Sequence, residues 1–393
     1  MTIDEVLTRA VDKVLPSKED LKKLMGKKKI RLYLGVDPTG TNLHLGHTVM
    51  IRKLQQFADL GHDVIFLFGT GTTLVGDPSE RKKGRKLITY QEIKQNMKSW
   101  KDQISPILDF NKVRTLENGD WLTKLKLQDI IKIASNITAI QLFKRDSFQR
   151  RIKAGDTVWM HETLYPLLQG YDSVEMDVDL ELGGTDQTFN MLVGRELQRK
   201  MNNREKFVLT GKMIMGTDGK KMSKTSNNCI WLTDTPEDMF GKLMTVNDEL
   251  MPDYFEFFTD KPMEEINQLK QDLKANKADP MQQKKQLALN ITSQFHGKNK
   301  AQAAQTHFEK VFQSRELPTK IPSFPLTKLP QTINIIDLLE KTQLVSSRSE
   351  AKRLIEQDGV KLNQQKITQI SAKITLKPND ILQVGKRKFI KFK

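Results

Sequence analysis

The sequence contains almost no cysteine and little histidine, and both scarcities limit what the protein can be. Its 393 residues include one cysteine, Cys229, which excludes an internal disulfide and a metal site built on a CxxC pair. We therefore expect a reducing, cytoplasmic setting. The six histidines are scattered along the chain, except for His44 and His47.

Long apolar runs and common nucleotide-binding fingerprints are also missing. No apolar stretch reaches the length of about 18 residues that a membrane-spanning helix needs, so we expect none. Residues 1–20 mix acidic and basic side chains, which is not typical of a signal peptide. The absence of a GxGxxG fingerprint and of a Walker A motif disfavours dehydrogenases and P-loop enzymes.

The sequence has an excess of positive charge. It contains 64 Lys and Arg against 48 Asp and Glu, a formal net charge of +16. Residues 333–393 alone contain 13 basic and 6 acidic side chains, a net charge of +7. Clustered basic side chains release counterions from phosphate backbones, so this distribution favours a nucleic-acid partner for the C-terminal segment.

The N-terminal half has the pattern of an α/β domain. Residues 30–36 predict a buried strand that ends at the turn 37–40, and a helix is expected from about His44 to Gly61. Residues 63–68 predict a second strand, rich in β-branched and aromatic side chains. This strand–helix–strand order predicts a parallel sheet with a crossover helix.

Further along, helices are expected at residues 91–110 and 126–153. Alternating apolar residues from Val174 to Leu182 predict a strand, and a helix follows from residue 188. Residues 236–312 are expected to be largely helical. Four prolines then mark a linker, after which two short helices and several short strands are predicted; the prolines are Pro318, Pro322, Pro325 and Pro330.

Two short motifs give the first indication of chemistry. They are His44-Leu45-Gly46-His47 and Lys221-Met222-Ser223-Lys224-Thr225. Either motif alone is weak, because the first could be a metal-binding pair or mark a small nucleotidylyltransferase, and the second could be a solvated loop. Both motifs in this order, on an α/β pattern, resemble the HIGH and KMSKS signatures of class I aminoacyl-tRNA synthetases.

These residue types suit attack by a carboxylate on the α-phosphate of ATP, during which negative charge grows on phosphate oxygens. His44 and His47 are three residues apart at a helix start, so both can donate to those oxygens where the helix dipole adds positive potential. Gly46 leaves room for adenine. The second motif is expected to reach the pyrophosphate through Lys221 and Lys224, with Met222, Ser223 and Thr225 as further ATP contacts.

Four further segments resemble the bacterial tyrosyl-tRNA synthetases, and the resemblance covers nearly the whole chain. The segments are LYLGVDPTGTNLHLGH, the loop 72–78, the segment 165–172 and the GGTDQ motif 183–187. The resemblance implies a set of substrate contacts: Tyr33 and Asp172 at the phenol, Asp77, Tyr165 and Gln169 at the ammonium group, Gln187 at the carboxylate, and Gly184 and Asp186 at the ribose of ATP.

These residues have the hydrogen-bonding capacity that a tyrosine pocket needs. The three N–H donors of the ammonium group can each find an acceptor. A buried Asp172 without a phenol partner would remain unpaired, which disfavours phenylalanine without editing, an effect for which this family is itself the standard example. The sequence contains no inserted block long enough for an editing domain.

The match has departures, and two alternatives stay open. The departures are Thr225 at the end of KMSKT, Thr188-Phe189 where one branch has Trp-Gly, and Thr73 where glycine is expected. A tryptophanyl-tRNA synthetase shares the fold and motifs, but it would not need Tyr33 and Asp172 to pair with a phenol. The other alternative is a catalytically dead, synthetase-like RNA-binding protein.

The C-terminal segment SSRSEAKRLIEQDGVKLNQQKI resembles a small RNA-binding domain first described in a ribosomal small-subunit protein. Arg348, Lys352 and Arg353 fall on its basic helix, where they can face phosphates together. A basic face without a binding role is the alternative. The resemblance implies that this module binds tRNA.

The expected fold class is α/β, with a Rossmann-like class I catalytic domain, a helical domain and a small α+β RNA-binding domain. The expected boundaries are 1–220 for the catalytic domain with a dimer-forming insertion at about 110–155, 221–314 for a helical anticodon-binding domain, 315–331 for the linker and 332–393 for the RNA-binding domain. The resemblance implies a homodimer that uses tyrosine, ATP with Mg²⁺ and tRNA(Tyr). No protein-bound metal and no membrane contact are expected.

Overall fold

The computed structural model describes residues 1–78, 88–222, 228–313, 321–345, 347–385 and 388–393. The chain divides into two compact units, Met1–Gln305 and Thr306–Lys393. None of the helices within the described ranges is long and apolar enough to cross a membrane.

The helices, in chain order, are α1 (Ile3–Thr8), α2 (Lys18–Lys27), α3 (Leu45–Asp59), α4 (Thr72–Val75), α5 (Tyr90–Ile104), α6 (Gly119–Leu122), α7 (Leu127–Ala134), α8 (Ala139–Phe143), α9 (Asp146–Lys153), α10 (Leu164–Met176), α11 (Thr188–Asn202), α12 (Pro236–Leu243), α13 (Met251–Phe258), α14 (Met263–Lys274), α15 (Pro280–His296), α16 (Lys298–Phe308), α17 (Ile335–Lys341) and α18 (Arg348–Glu356). The strands are β1 (Val11–Leu15), β2 (Arg31–Val36), β3 (Asp63–Phe68), β4 (Val113–Glu117), β5 (Leu180–Gly184), β6 (Phe207–Gly211), β7 (Ser323–Phe324), β8 (Thr332–Asn334), β9 (Val360–Leu362), β10 (Gln365–Lys366), β11 (Lys373–Thr375), β12 (Ile381–Val384) and β13 (Lys388–Phe392).

The first unit is organised around a six-stranded sheet with the order β1-β6-β5-β2-β3-β4. All neighbouring strands are parallel except β1 and β6, which pair antiparallel. Tyr33 on β2 pairs with Ile65 on β3 and with Glu181 on β5. Because side chains alternate between the two faces of a strand, these paired residues project from the same face of the sheet.

The predicted β2–α3–β3 unit is confirmed. Strands β2 and β3 pair in parallel, and α3 connects them. Helix α3 buries one apolar face, with Leu45, Val49 and Leu54 among its buried residues, and the chain leaves it through Gly61 at φ +84°. Glycine adopts this left-handed conformation without the steric cost that a side chain would add.

The strand predicted to begin at Val174 is wrong over its first half. Helix α10 continues to Met176 and ends at Asp177, whose φ of +48° is left-handed, so β5 begins only at Leu180. Val174 packs in an apolar cluster with Leu197 of α11, and this helix–helix packing outweighs the local alternation.

The long helix predicted for residues 126–153 is divided into α7, α8 and α9. Thr138 begins a new helix with a capping box, in which its hydroxyl accepts from the Gln141 backbone N–H and the Gln141 side chain accepts from the Thr138 N–H. The helix predicted for 91–110 is shorter, because α5 ends at Ile104.

The second unit has its own apolar core. A five-stranded sheet has the order β10-β9-β12-β13-β7, and β8 pairs with β11 separately. Helices α17 and α18 pack on this framework through buried residues that include Leu338, Ala351 and Ile355. The predicted order of two short helices followed by short strands is present. Of the predicted linker 315–331, the described part includes β7, which pairs in parallel with β13.

Candidate active site

Most of the predicted substrate residues lie near the carboxyl ends of β2, β3 and β5, on the helices and loops that follow them. This edge of an open parallel sheet is where ligands bind in doubly wound folds. Tyr33 is on β2, Asp77 follows α4, and Gln187 precedes α11. Helix α10 contains three more of the predicted residues, Tyr165, Gln169 and Asp172.

Asp172 is one of the most deeply buried of the predicted residues. It is 2% exposed, and its two carboxylate oxygens accept different hydrogen bonds. Trp121 Nε1 donates to one oxygen at 2.8 Å, and Asn118 Nδ2 donates to the other at 3.0 Å. Burial, the largest cause, raises the pKa of Asp172 well above its usual range, while these two donors oppose the rise.

Asn118 is itself fixed in orientation by the loop after β3. Its Oδ1 accepts from the Gly71 backbone N–H at 2.7 Å, so its amide nitrogen must face Asp172. Neither Asn118 nor Trp121 was among the residues predicted from the sequence. Both residues directly follow β4, the strand at the edge of the parallel part of the sheet, and no sequence motif marks them.

Tyr33 is fully buried, and its hydroxyl lies 3.0 Å from Ser173 Oγ. Its ring packs with Ile65 and Val178, and the partly buried Trp121 contacts the same cluster. Burial raises the pKa of Tyr33 well above its usual range, with Glu181 and Asp172 as further causes. The phenol-binding pair that the sequence predicts therefore lies around one apolar cluster that also contains Trp121.

Two of the predicted ammonium ligands, Asp77 and Tyr165, belong to separate hydrogen-bonded groups. Asp77 accepts from Gln187 Nε2 at 2.7 Å and from Arg145 at 3.2 Å. Tyr165 donates its hydroxyl hydrogen to Asp37 at 2.9 Å, and Thr72 Oγ1 donates to the other oxygen of Asp37 at 2.7 Å. Asp37 and Arg145 were not among the predicted residues.

Gln169, the third predicted ammonium ligand, points its amide nitrogen at Glu181, with a separation of 3.0 Å. Its amide oxygen is buried and has no hydrogen-bond partner within the described part of the chain. Such an acceptor is costly to leave unpaired, so it marks a position for a donor.

The two histidines of the first motif form the start of α3. His44 is the N-cap residue: its Nδ1 accepts from the Gly46 N–H at 3.1 Å, and His47 Nδ1 lies 3.1 Å from the His44 N–H. Their ring centroids are 3.9 Å apart. A Cβ atom at position 46 would lie 2.8 Å from the His44 ring and 3.3 Å from Met222 Sδ, so glycine is required here.

Met222 therefore places the start of the second motif beside the first. Lys221 pairs with Met215 in an isolated β-bridge, and its carbonyl accepts from Asn228 Nδ2 at 3.1 Å. The turn before it contains Gly219 at φ +77°. Three predicted ATP contacts, Ser223, Lys224 and Thr225, lie outside the described residues.

The GGTDQ motif forms the end of β5 and the short 3₁₀ segment that follows. A Cβ atom at Gly184 would lie 2.6 Å from Asp186 Oδ1, so glycine at this position leaves room for the Asp186 carboxylate. Asp186 is exposed and accepts from Gln187 Nε2 at 3.0 Å. Gln187 thus contacts both Asp77 and Asp186.

The predicted RNA-binding residues belong to the second unit. Lys352 and Arg353 are exposed on α18. Arg348 forms ion pairs with Asp337 and Glu340 of α17, so part of its charge is already neutralised within the unit.

Comparison with known proteins identifies the family. Residues 25–313 match the family model "tRNA synthetases class I (W and Y)", and residues 314–390 match the "Tyrosine--tRNA ligase SYY-like C-terminal domain". The tyrosine–tRNA ligase of Thermotoga maritima is 43% identical over 98% of this chain and 96% of the relative. Those of Mannheimia succiniciproducens and Coxiella burnetii are 42% and 40% identical at similar coverage. The chain belongs to the bacterial tyrosine–tRNA ligases.

Solved structures agree with the fold. A C-terminally truncated mitochondrial tyrosyl-tRNA synthetase from Aspergillus nidulans superposes with a TM-score of 0.66 at 22% identity, covering 79% of this chain and 94% of that one. The Archaeoglobus fulgidus tyrosyl-tRNA synthetase, solved with L-tyrosine, gives a TM-score of 0.62 at 22% identity and covers 77% of this chain and all of that one. The predicted class I fold is therefore confirmed.

Groups of three or more potential metal ligands are absent from the described residues. His44 and His47 use their Nδ1 atoms at the helix start.

Proposed function

We propose that this aminoacyl-tRNA ligase recognises L-tyrosine at the pocket lined by Asp172 and activates it with MgATP. The substrate carboxylate attacks the α-phosphorus, the bond to the bridging oxygen breaks, and pyrophosphate leaves. Tyrosine is then transferred from the adenylate to the terminal ribose of tRNA(Tyr). The observation that carries the assignment is the buried Asp172 carboxylate, which Asn118 and Trp121 hold in place.

The phenol end of the substrate lies, in this proposal, between Asp172 and Tyr33. Each oxygen of Asp172 already accepts one hydrogen bond from a donor that cannot reverse, because tryptophan has only an N–H and the Asn118 amide is fixed. The remaining lone pairs of the Asp172 carboxylate can be satisfied only by an additional hydrogen-bond donor. A phenol supplies that donor and the side chain of phenylalanine does not, so the site favours tyrosine.

The ammonium end lies among Asp77, Tyr165 and Gln169, and Gln187 orients the carboxylate. The partnerless oxygen of Gln169 supports this assignment. Asp77 contacts Arg145 at 3.2 Å, and this long contact can lengthen further when an ammonium group approaches. The attraction between the Asp77 carboxylate and an ammonium group is strong at close range in a partly buried site, so the ammonium group can compete with Arg145 for Asp77.

ATP lies at the start of α3 in this proposal. His44 and His47 donate to the phosphates, and Gly46 admits adenine. Gly184 and Asp186 hold the ribose of ATP in this proposal. Asp186 is exposed in the segment directly after β5, so its carboxylate is accessible to a ribose hydroxyl. Lys221 and Met222 lead into the second motif, whose remaining predicted contacts are Ser223, Lys224 and Thr225.

We also propose a homodimer formed through the insertion between β4 and β5. Large apolar side chains are exposed on this segment, and an aqueous surface seldom presents so many together. They are Leu127, Ile131, Ile140, Phe143, Ile152, Trp159 and Met160. A second copy of the same surface is the partner that the homodimer requires.

The remaining assignments concern tRNA. We propose that the helical region 221–314 reads the anticodon and that the module 332–393 binds the tRNA backbone through Lys352, Arg353 and Arg348, on either side of the linker 315–331. The catalytic domain is then residues 1–220. Protein synthesis and the single buried cysteine suit a cytoplasmic location.

The test is amino-acid-dependent ATP–pyrophosphate exchange, measured separately with each of the twenty amino acids. We expect exchange with tyrosine and not with phenylalanine or tryptophan. Exchange with tryptophan would overturn the assignment of Tyr33 and Asp172. Silence with every amino acid would favour the catalytically dead alternative.

A further inference from the structure

A second polar network lies buried behind the predicted tyrosine pocket. Glu181 on β5 is 2% exposed, and Lys206, which directly precedes β6, is completely buried. Lys206 Nζ forms an ion pair with Glu181 and also donates to Ser173 Oγ at 2.8 Å. Glu181, Lys206 and Ser173 were not among the residues predicted from the sequence.

This ion pair requires an explanation other than stability. Removing two charges from water costs several kcal/mol each, and a buried pair often contributes less than apolar residues of similar volume. Burial lowers the pKa of Lys206, which shows that its surroundings disfavour the charge. Charged groups retained at this cost are frequently found where they orient other groups.

Glu181 fixes the direction of the Gln169 side chain. A carboxylate only accepts hydrogen bonds, so the amide nitrogen of Gln169 must face Glu181, with the observed separation of 3.0 Å. The amide oxygen of Gln169 is thereby turned away from Glu181, and it is the buried acceptor that has no partner within the described part of the chain. Without Glu181 the amide could rotate and present its nitrogen instead.

Lys206 connects the same pair to the phenol end of the pocket. An ammonium group only donates, so Ser173 Oγ must accept from Lys206. The same oxygen lies 3.0 Å from the Tyr33 hydroxyl and 3.4 Å from Glu181. One ion pair therefore reaches both Gln169, through Glu181, and Tyr33, through Ser173.

We propose that Glu181 and Lys206 are positioning residues for tyrosine binding, which hold the Gln169 oxygen toward the substrate ammonium group and the Tyr33 hydroxyl toward the phenol. The inference rests on the proposed roles of Gln169 and Tyr33. Neither Glu181 nor Lys206 contacts the substrate in this proposal. Their effect is confined to the affinity and selectivity for tyrosine.

The test uses a neutral double variant, Glu181→Met with Lys206→Met, which leaves no uncompensated charge in the core. Since the lost orientation affects substrate binding, we expect KM for tyrosine in pyrophosphate exchange to rise about tenfold, the equivalent of one well-placed hydrogen bond. KM for ATP is expected to stay unchanged. The ratio of kcat/KM for tyrosine to that for phenylalanine is expected to fall.

A conservative variant separates orientation from packing. Glu181→Gln with Lys206→Met retains an oxygen that can accept from Gln169, so we expect its KM for tyrosine to lie between those of the wild type and the double methionine variant. A purely structural pair would give equal KM values for both variants. That equality would overturn the proposal.

A matched control lies two residues away, directly before the same strand. Asp179 is as buried as Glu181 and accepts from Lys28 and Arg204, but it contacts none of the predicted pocket residues. Asp179→Asn is expected to lower the melting temperature and to leave KM for tyrosine unchanged. A rise in KM equal to that of the double variant would show that general destabilisation is the cause.

Gln169→Ala distinguishes failure of this inference from failure of the proposed site. If Gln169→Ala raises KM for tyrosine and the double methionine variant does not, the pocket assignment stands and the positioning role is wrong. If neither variant changes KM, the ammonium site itself has been wrongly assigned.

Discussion

Asp172→Asn replaces one atom in the pocket and reverses a hydrogen-bonding direction. Trp121 and Asn118 each donate to one carboxylate oxygen, and neither donor can turn away. Whichever way the new amide is oriented, its NH₂ group faces another N–H. At a pH above the raised pKa of Asp172, the substitution therefore removes a charged acceptor, and at any pH it leaves a buried donor without a partner.

The size of the effect follows from these two losses. A hydrogen bond to a charged group contributes about 1.5–3 kcal/mol, and an unpaired buried donor costs about 1–3 kcal/mol. The first loss alone corresponds to a fall of roughly 10–10²-fold in kcat/KM for tyrosine. The unpaired donor is present with and without substrate, so the second loss lowers the stability of the fold instead. Phenylalanine offers no phenol, so its kcat/KM is expected to fall much less.

Pyrophosphate exchange with tyrosine and with phenylalanine measures both values on the same preparation. Asp120→Asn is the matched control, because Asp120 is exposed and lies between Asn118 and Trp121 in the sequence. We expect the control to behave as the wild type. An unchanged tyrosine-to-phenylalanine ratio in Asp172→Asn, with the fold intact by circular dichroism, would refute the assignment of Asp172 to the phenol.

Three further predictions concern assembly, tRNA and pH. Ile140→Glu, at a residue 72% exposed on the proposed dimer surface, should shift the protein to monomer in analytical ultracentrifugation, whereas Met281→Glu, also at an exposed apolar residue, should not. Deleting residues 332–393 should spare pyrophosphate exchange and reduce tRNA charging; equal charging would show the module to be dispensable. Because burial raises the pKa of Asp172, the folded protein holds that proton more tightly than the unfolded chain, so stability from this group falls as pH rises above 3.8. The difference in melting temperature between Asp172→Asn and the wild type should therefore change in favour of Asp172→Asn as pH rises above 3.8, and a constant difference would contradict the raised pKa.

The parts of the fold that local sequence determines were predictable. The buried strands β2 and β3 and the start of α3 at His44 follow from apolar runs and a helix boundary within about 40 residues. The end of α10 was not predictable, because Val174 is held in the helix by Leu197, and the local alternation has no information about that contact.

The residues of the predicted pocket also include some that could be predicted from the sequence and some that could not. Residues in recognisable motifs, such as Asp172 and Gln169, could be named from the sequence. It was not possible to name Asn118, Trp121 and Lys206, because each donates a hydrogen bond to a partner that is distant in the chain. Trp121 meets Asp172 across 51 positions, and Lys206 meets Glu181 across 25. Only the folded sheet brings these donors and acceptors together.

The start of α3 also determines which nitrogen of His44 carries a proton. Because Nδ1 accepts from the Gly46 N–H, a neutral His44 ring must carry its hydrogen on Nε2. The helix cap therefore selects the tautomer of the neutral ring that has its hydrogen on Nε2. A ring in this tautomer has an N–H group that can donate to a phosphate oxygen without the ring first becoming an imidazolium ion.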